Sequence, residues 1–331
     1  MIKRSDGRYQ EAVTINGRRK YFYGRTKAEV LRKLREFSDT KERGELFRTV
    51  ANAWYAQHEL ETTYNAHVFY RRPLKAALER FGHRRINEIT SQEISAYINE
   101  LALKRYARRT VQGHLTMLCL IFDYGVIHGM AASNPARIVK LPKSLKSTKR
   151  DLPDESDVEK IKKGLTLPFG LFAYFLMLTG LRRGEALALT YDDIDREKKL
   201  ISVTKSLYWE VNQPVIKTTK TDTGVRSVIL MDALAEVLPR GKGYIFGGDK
   251  PLTQTVYRRA WANYAKESGI SCTPHQLRHL YATLLYEAGV DEKMAQELMG
   301  HSSITITRDI YTHIRMNRLD KAAELLNNMQ I

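Results

Sequence analysis

Residues 169–189 read FGLFAYFLMLTGLRRGEALAL. Phe169–Thr179 is an apolar run with the character of a buried helix, Gly180 ends it, and Gly184–Leu189 reads as a short second helix. Arg182 and Arg183 stand at the junction, so two guanidiniums lie next to buried chain; Glu185 follows, placed to orient an arginine or to cap the second helix. Outward from this junction the pattern stays mixed. Asp154–Leu165 has helical periodicity, and Lys199–Ser206, Val215–Lys217 and Val225–Leu230 alternate like strands. Helices are expected again at Thr253–Ser268, Pro274–Ala288, Met294–Met299 and Leu319–Met329. Residues 154–331 therefore read as one α+β domain, mainly helical.

Three further clusters in this domain stand out. Lys220-Thr221-Asp222-Thr223-Gly224-Val225-Arg226 lies between two strand-like runs, His275-Gln276-Leu277-Arg278-His279 opens a helix, and Gly300-His301-Ser302-Ser303 is followed by Tyr311. Each has an ordinary reading alone. Arg182 could be a surface arginine after a helix end, Lys220 a loop lysine, His275 a helix cap, Gly300-His301 a helix C-terminus and Tyr311 a core tyrosine.

Taken in order, T-G-L-R, K-T-x-x-G-x-R, H-x-L-R-H, G-H-S-S and then Y, the clusters resemble the tyrosine recombinase family, the integrases of phages and conjugative transposons. The resemblance implies a nucleophilic Tyr311 that attacks a DNA phosphodiester to give a 3′-phosphotyrosine and a free 5′-hydroxyl. It implies Arg182 and Arg278 on the non-bridging oxygens, His301 as a hydrogen-bond donor to one of them, His275 in proton transfer or tyrosine ordering, and Lys220 as general acid. Lys217 is the rival to Lys220. Physical chemistry supports these residue types. A planar, permanently charged guanidinium orients as well as neutralises a phosphorane, and a tyrosine hydroxyl near pKa 10 needs help to attack at neutral pH. Covalent storage of the cleaved bond implies no cofactor. No Walker motif or zinc-type His/Cys spacing occurs, and no metal site is expected. Asp192-Asp193-Ile194-Asp195 reads as an exposed acidic loop.

The upstream half carries the charge. The chain has 331 residues and a formal net charge of +17. Residues 1–45 contribute +6, residues 46–150 contribute +10 and residues 151–331 only +1. That distribution points to a polyanionic partner gripped by the first 150 residues. In residues 1–45, Arg8–Ile15 and Arg18–Tyr23 read as strands around an Asn16-Gly17 turn. Thr26 with Glu29 opens a helix to about Ser38 that buries Ala28, Leu31, Leu34 and Phe37. The unit resembles the three-stranded arm-site-binding domain of integrases. Residues 46–139 read as all helix, in Phe47–Leu60, Tyr64–Phe81, Ser91–Leu103 and Thr110–His128, and resemble the core-site-binding domain. Residues 140–153 read as a linker. Candidate DNA contacts are Arg18, Arg19 and Lys20 on the small sheet, with its aromatics Tyr21, Phe22 and Tyr23 as core on the other face. Further candidates are Arg105, Arg108 and Arg109 between helices, and Lys143 and Lys146 in the linker.

The expected molecule is thus multidomain, with a small three-stranded sheet plus helix, an all-α domain and an α+β catalytic domain. Its expected partners are double-stranded DNA of core and arm type and three further copies of itself in a tetramer whose tail helix, Leu319–Met329, docks on a neighbour. A DNA-bending protein and an excisionase are common companions of arm-domain integrases. With Cys119 and Cys272 as its only cysteines, no signal sequence and no apolar run of about 18 residues, a cytoplasmic, nucleoid-associated location is expected and a membrane is not. The alternatives are a non-catalytic DNA-binding relative and a type IB topoisomerase-like enzyme.

Overall fold

The computed structural model describes residues 1–15, 18–145, 153, 155–218, 225–301, 303–305, 307–308 and 311–312. Asn16-Gly17, Lys146, Lys220, Ser302 and the segment Leu319–Met329 lie outside the described residues. The chain divides into two compact units, Met1–Lys149 and Arg150–Ile331.

The first unit begins with an antiparallel sheet of β1 (Ile2–Lys3), β2 (Tyr9–Ile15) and β3 (Arg18–Gly24), in that order. Helix α1 (Lys27–Arg43) follows, its N-terminus capped by Thr26 Oγ1, which accepts from Glu29 N at 3.1 Å. The helix runs past Ser38, and the face it buries is rotated from the expected one. Val30 is fully buried, while Ala28 and Leu31 are exposed. Alternation along β3 also divides the aromatics differently from expectation. Phe22 meets Phe37 of α1 at 5.1 Å between centroids, whereas Tyr21 and Tyr23 stack on each other and are exposed. A strand has a period of two, so Arg19 shares the open face with Tyr21 and Tyr23. Lys20 lies on the other face, its Nζ 4.5 Å from the centroid of Phe37.

Among the described residues, four α-helices follow in this unit: α2 (Phe47–Glu61), α3 (Tyr64–Phe81), α4 (Ser91–Leu103) and α5 (Arg108–Ile127). Thr90 and Glu93 form a reciprocal capping box at the start of α4. Phe47, Val50, Phe81, Ile94, Ile98, Leu118, Ile121 and Phe122 make the core. Helix α5 passes a length-and-composition test for crossing a membrane, as a mostly buried core helix also does. Half of that window is buried, with Val111, Met117, Leu118, Ile121 and Phe122 inside the unit's core.

The second unit holds α6 (Glu155–Lys163), α7 (Gly170–Thr179), α8 (Arg183–Ala188), β4 (Ile194–Asp195), β5 (Leu200–Val203), β6 (Lys205–Glu210), β7 (Gln213–Thr218) and β8 (Arg226–Ile229). It continues with α9 (Asp232–Val237), α10 (Gln254–Ser268), α11 (Pro274–Glu287) and α12 (Glu292–Met299). Helix α7 is apolar on nearly every side because it is central: Phe172, Ala173, Phe175, Leu176 and Met177 are all buried. The strand expected over Lys199–Ser206 is interrupted at Thr204, and its two halves serve different sheets. One has the antiparallel order β4-β5-β8, the other pairs β6 with β7. Consequently the strand-like runs Val215–Lys217 and Val225–Leu230 pair with different neighbours, β6 and β5. Lys217 is exposed in β7, opposite Ser206. The acidic loop is engaged locally: Asp193 accepts from Thr190 N and pairs with Lys205 at 2.9 Å.

Candidate active site

The site assembles around the C-terminal end of α12. The last carbonyls of a helix have no partner inside it and form the negative end of its dipole. Here Gly300, at φ +62, turns the chain out of the helix, and three successive carbonyls each accept from a different arginine. Leu298 O accepts from Arg226 Nε at 3.0 Å, Met299 O from Arg278 Nη2, and Gly300 O from Arg182 Nη2 at 2.7 Å. Arg278 also donates through Nη1 to Gly180 O at 2.7 Å. Gly180 is left-handed at φ +62 at the end of α7, and a Cβ there would lie 2.2 Å from the Tyr281 ring. Glycine lets the two helices approach closely enough for that bond.

Glu185 ties the arginines together. Its carboxylate accepts from Arg182 N at 2.9 Å, Arg182 Nη1 at 2.8 Å, and Arg226 Nη2 and Nη1 at 2.8 and 3.3 Å. Burial acts to raise this carboxyl, but Arg226 and Arg182 prevail and hold it down at about 2. Arg278 is 4% exposed. Burial pushes its guanidinium down to about 9, and the charge of Arg182 adds to this. Arg182 presents 48% of its side chain to solvent. The result is a shallow floor with more positive charge than its one carboxylate neutralises, suited to a tetrahedral or trigonal oxyanion.

His301, the next residue, is buried, with Nδ1 2.8 Å from Thr307 Oγ1 and its carbonyl accepting from Gln296 Nε2. Burial and then Arg278 and Arg182 push its imidazole down to about 4, so it is neutral at pH 7. A histidine neutral in the fold and ordinary at 6.5 when unfolded contributes stability that is complete above pH 6.5. That contribution is lost as pH falls from 6.5 towards 4, and it amounts to about 3 kcal/mol. Glu185 adds a second loss between about 4.5 and 2. Thermal melts across pH should therefore decline below 6.5, and His301→Gln should remove the part of the decline between 6.5 and 4. A decline unchanged in that variant would contradict this assignment.

His275 is in the first turn of α11, exposed, its ring 4.7 Å from His279 and perpendicular to it. Tyr311 is buried at 5% exposure, packed on Tyr286 at 5.0 Å, with its hydroxyl donating to Val290 O at 3.3 Å. Burial, then Asp291 and Glu292, push that hydroxyl up to about 12. The structure thus brings Arg182, Arg278 and His301 together and places the Tyr311 hydroxyl against Val290. Lys220 lies outside the described residues. Arg226, the last residue of the Lys220–Arg226 cluster, is turned inward, with only 7% of its side chain accessible. Thr307 and the carbonyls of Leu298–Gly300 were invisible as site groups, since a backbone acceptor carries no residue signature.

Of the basic candidates in the first unit, Arg19, Lys20, Arg105, Arg109 and Lys143 are exposed. Arg108 donates to Leu145 O at 2.9 Å, which fastens the following segment to α5. Arg18 is described in its backbone only.

Two family models match the chain: the phage integrase family over residues 158–318 and the phage integrase central domain over residues 47–141. A "Tyrosine recombinase XerC-like" protein of Caldanaerobacter subterraneus subsp. tengcongensis is 29% identical, covering 100% of this chain and 98% of its own. The ICEBs1 integrase of Bacillus subtilis is 29% identical over 91% of this chain and 88% of its own. Among solved structures, the Tn1549 transposon integrase in complex with transposon right end DNA aligns at a TM-score of 0.68 and 21% identity, covering 84% of this chain and 100% of its own. A lambda integrase tetramer bound to a Holliday junction aligns at 0.62 and 18%, covering 93% of each. At such identities the structural likeness establishes the fold. The ordered motifs, the arginine-lined turn and both family models converge: the chain belongs to the tyrosine recombinase family, as a site-specific DNA recombinase of the integrase type.

Proposed function

We propose that the chain cleaves and rejoins DNA through a 3′-phosphotyrosine on Tyr311, to integrate and excise a mobile element. The observation that carries this is the pair Arg182 and Arg278, each anchored on backbone carbonyls of one turn beside His301. A scissile phosphate between them would have its non-bridging oxygens held by two forks, with His301 donating to one of these oxygens. The Tyr311 oxygen attacks phosphorus and its proton passes to His275. The bond to the 5′-oxygen breaks, and Lys220 protonates that leaving group. Religation runs the same steps backwards with another strand's 5′-hydroxyl. Because the Tyr311 hydroxyl donates to Val290 O and is held protonated, the reading requires it to leave that acceptor before attack.

In the same reading the chain binds double-stranded DNA of core and arm type and works as a tetramer, with a DNA-bending protein and an excisionase as companions. It acts in the cytoplasm of a bacterial host, at the nucleoid. The relatives' complexes with transposon end DNA and, as a tetramer, with a Holliday junction support the DNA binding and the tetramer. The exposed Arg19, Arg105, Arg109 and Lys143, and the open face of β3 with Tyr21 and Tyr23, also support the DNA binding.

A nicked duplex carrying the element's junction tests the proposal, since loss of the short strand traps the cleaved state. A covalent protein–DNA adduct should accumulate in EDTA without ATP. Binding without an adduct would instead make the chain a non-catalytic relative, and relaxation of supercoils without strand exchange would make it topoisomerase-like.

A further inference from the structure

The geometry points to Arg226 as a positioning residue of this reaction, which holds Glu185, and through it Arg182, against the turn at Leu298–Gly300 and does not itself touch DNA. The inference rests on the roles proposed above for Arg182 and Arg278. Arg226 is the first residue of β8, and its backbone is set by pairing with Val203 of β5. From there its guanidinium fills three bonds inside the protein: Nε to Leu298 O, and Nη1 and Nη2 to the two oxygens of Glu185. Those bonds engage all three of its nitrogens inside the protein, whereas the described bonds of Arg278 use only Nη1 and Nη2.

Gly300 is required for this. A Cβ at that position would lie 2.8 Å from Arg226 Cζ and Nη1, so glycine allows the guanidinium to lie across the turn that presents Gly300 O to Arg182. Arg226 therefore touches both supports of Arg182, the carboxylate and the turn. Lysine would keep the charge but not the planar fork that spans a carboxylate and a carbonyl together. Without Arg226, Glu185 is a buried carboxylate with one guanidinium partner left. Its proton affinity rises, and once protonated it releases Arg182.

Full-length Arg226→Lys, Arg226→Gln and the paired Glu185→Gln/Arg226→Gln test this on the nicked duplex. An adduct with the unaltered chain must come first. Its absence would refute the underlying mechanism, whereas the variants test only Arg226. Both single variants should cleave about 100-fold more slowly at saturating DNA. DNA affinity should change by less than about threefold, with an unchanged salt slope. Their cleavage rates should fall more steeply on the acid side of neutrality than that of the unaltered chain, and the paired variant, lacking the carboxylate, should lose this extra fall. A purely structural loss would lower the rate equally at all pH and move the melting temperature in step. Should Arg226→Gln fail to fold, Arg226→Lys carries the test. Cleavage by Arg226→Lys at the unaltered rate, an unchanged pH profile, or a weaker affinity with a smaller salt slope would each overturn the assignment.

Discussion

Tyr311→Phe should abolish the covalent adduct, lowering its rate of formation by a factor on the order of 10⁴ or more, because the substitution removes the nucleophilic oxygen and nothing else. The ring keeps its packing on Tyr286 and its place among Tyr281, Leu285, Leu298 and Met299. The hydroxyl's one described bond, to Val290 O, is long at 3.3 Å. Its loss should change stability by no more than about 1 kcal/mol. DNA binding should persist, so denaturing gels of the trapped reaction read the chemistry alone. A normal adduct from this variant would mean that another residue attacks.

Arg278→Ala should cut cleavage at saturating DNA by about 10²–10³-fold, the effect of removing one preorganised donor to a developing oxyanion. The site's electrostatics explain why the loss falls on chemistry. Burial and the charge of Arg182 disfavour the Arg278 cation. A phosphodiester would favour the cation, and the more negative phosphorane would favour it further, so the gain is largest in the transition state. The variant also strips Gly180 O and Met299 O of a donor, at about 1–3 kcal/mol for each buried acceptor left unmet. Arg278→Lys separates the two contributions: it keeps the charge but loses the fork, and should recover less than a tenth of the rate. Single-turnover cleavage and a melting curve on each variant read the two effects independently. Full activity in Arg278→Lys would show that charge alone suffices.

Much of this was legible in the sequence because it is local. Helices α2, α3, α4 and α5 follow from the spacing of apolar residues, and the start of α1 from Thr26 with Glu29 three residues on. Arg182, Arg278, His301 and Tyr311 stood out by their ordered motifs. What failed depends on contacts distant along the chain. Arg226 meets Leu298 across 72 residues and Glu185 across 41, so no window around it shows that it is buried. The partners of β7 and β8 were not legible because alternation reports which face is buried but not which strand lies alongside. Val30 replaced Leu31 in the small core because two apolar residues compete there, and the docking angle of α1 selects between them. The short α9 offers too few turns for periodicity to register.

The central claim is a bond between Tyr311 and the 3′ end of a cleaved strand. Digesting the adduct trapped in EDTA to a nucleotide-bearing peptide, and sequencing it by mass spectrometry, tests that bond directly. The account predicts the modification on Tyr311, with a free 5′-hydroxyl on the released strand. A modification on any other residue, or a 5′-phosphate linked to the protein, would contradict it.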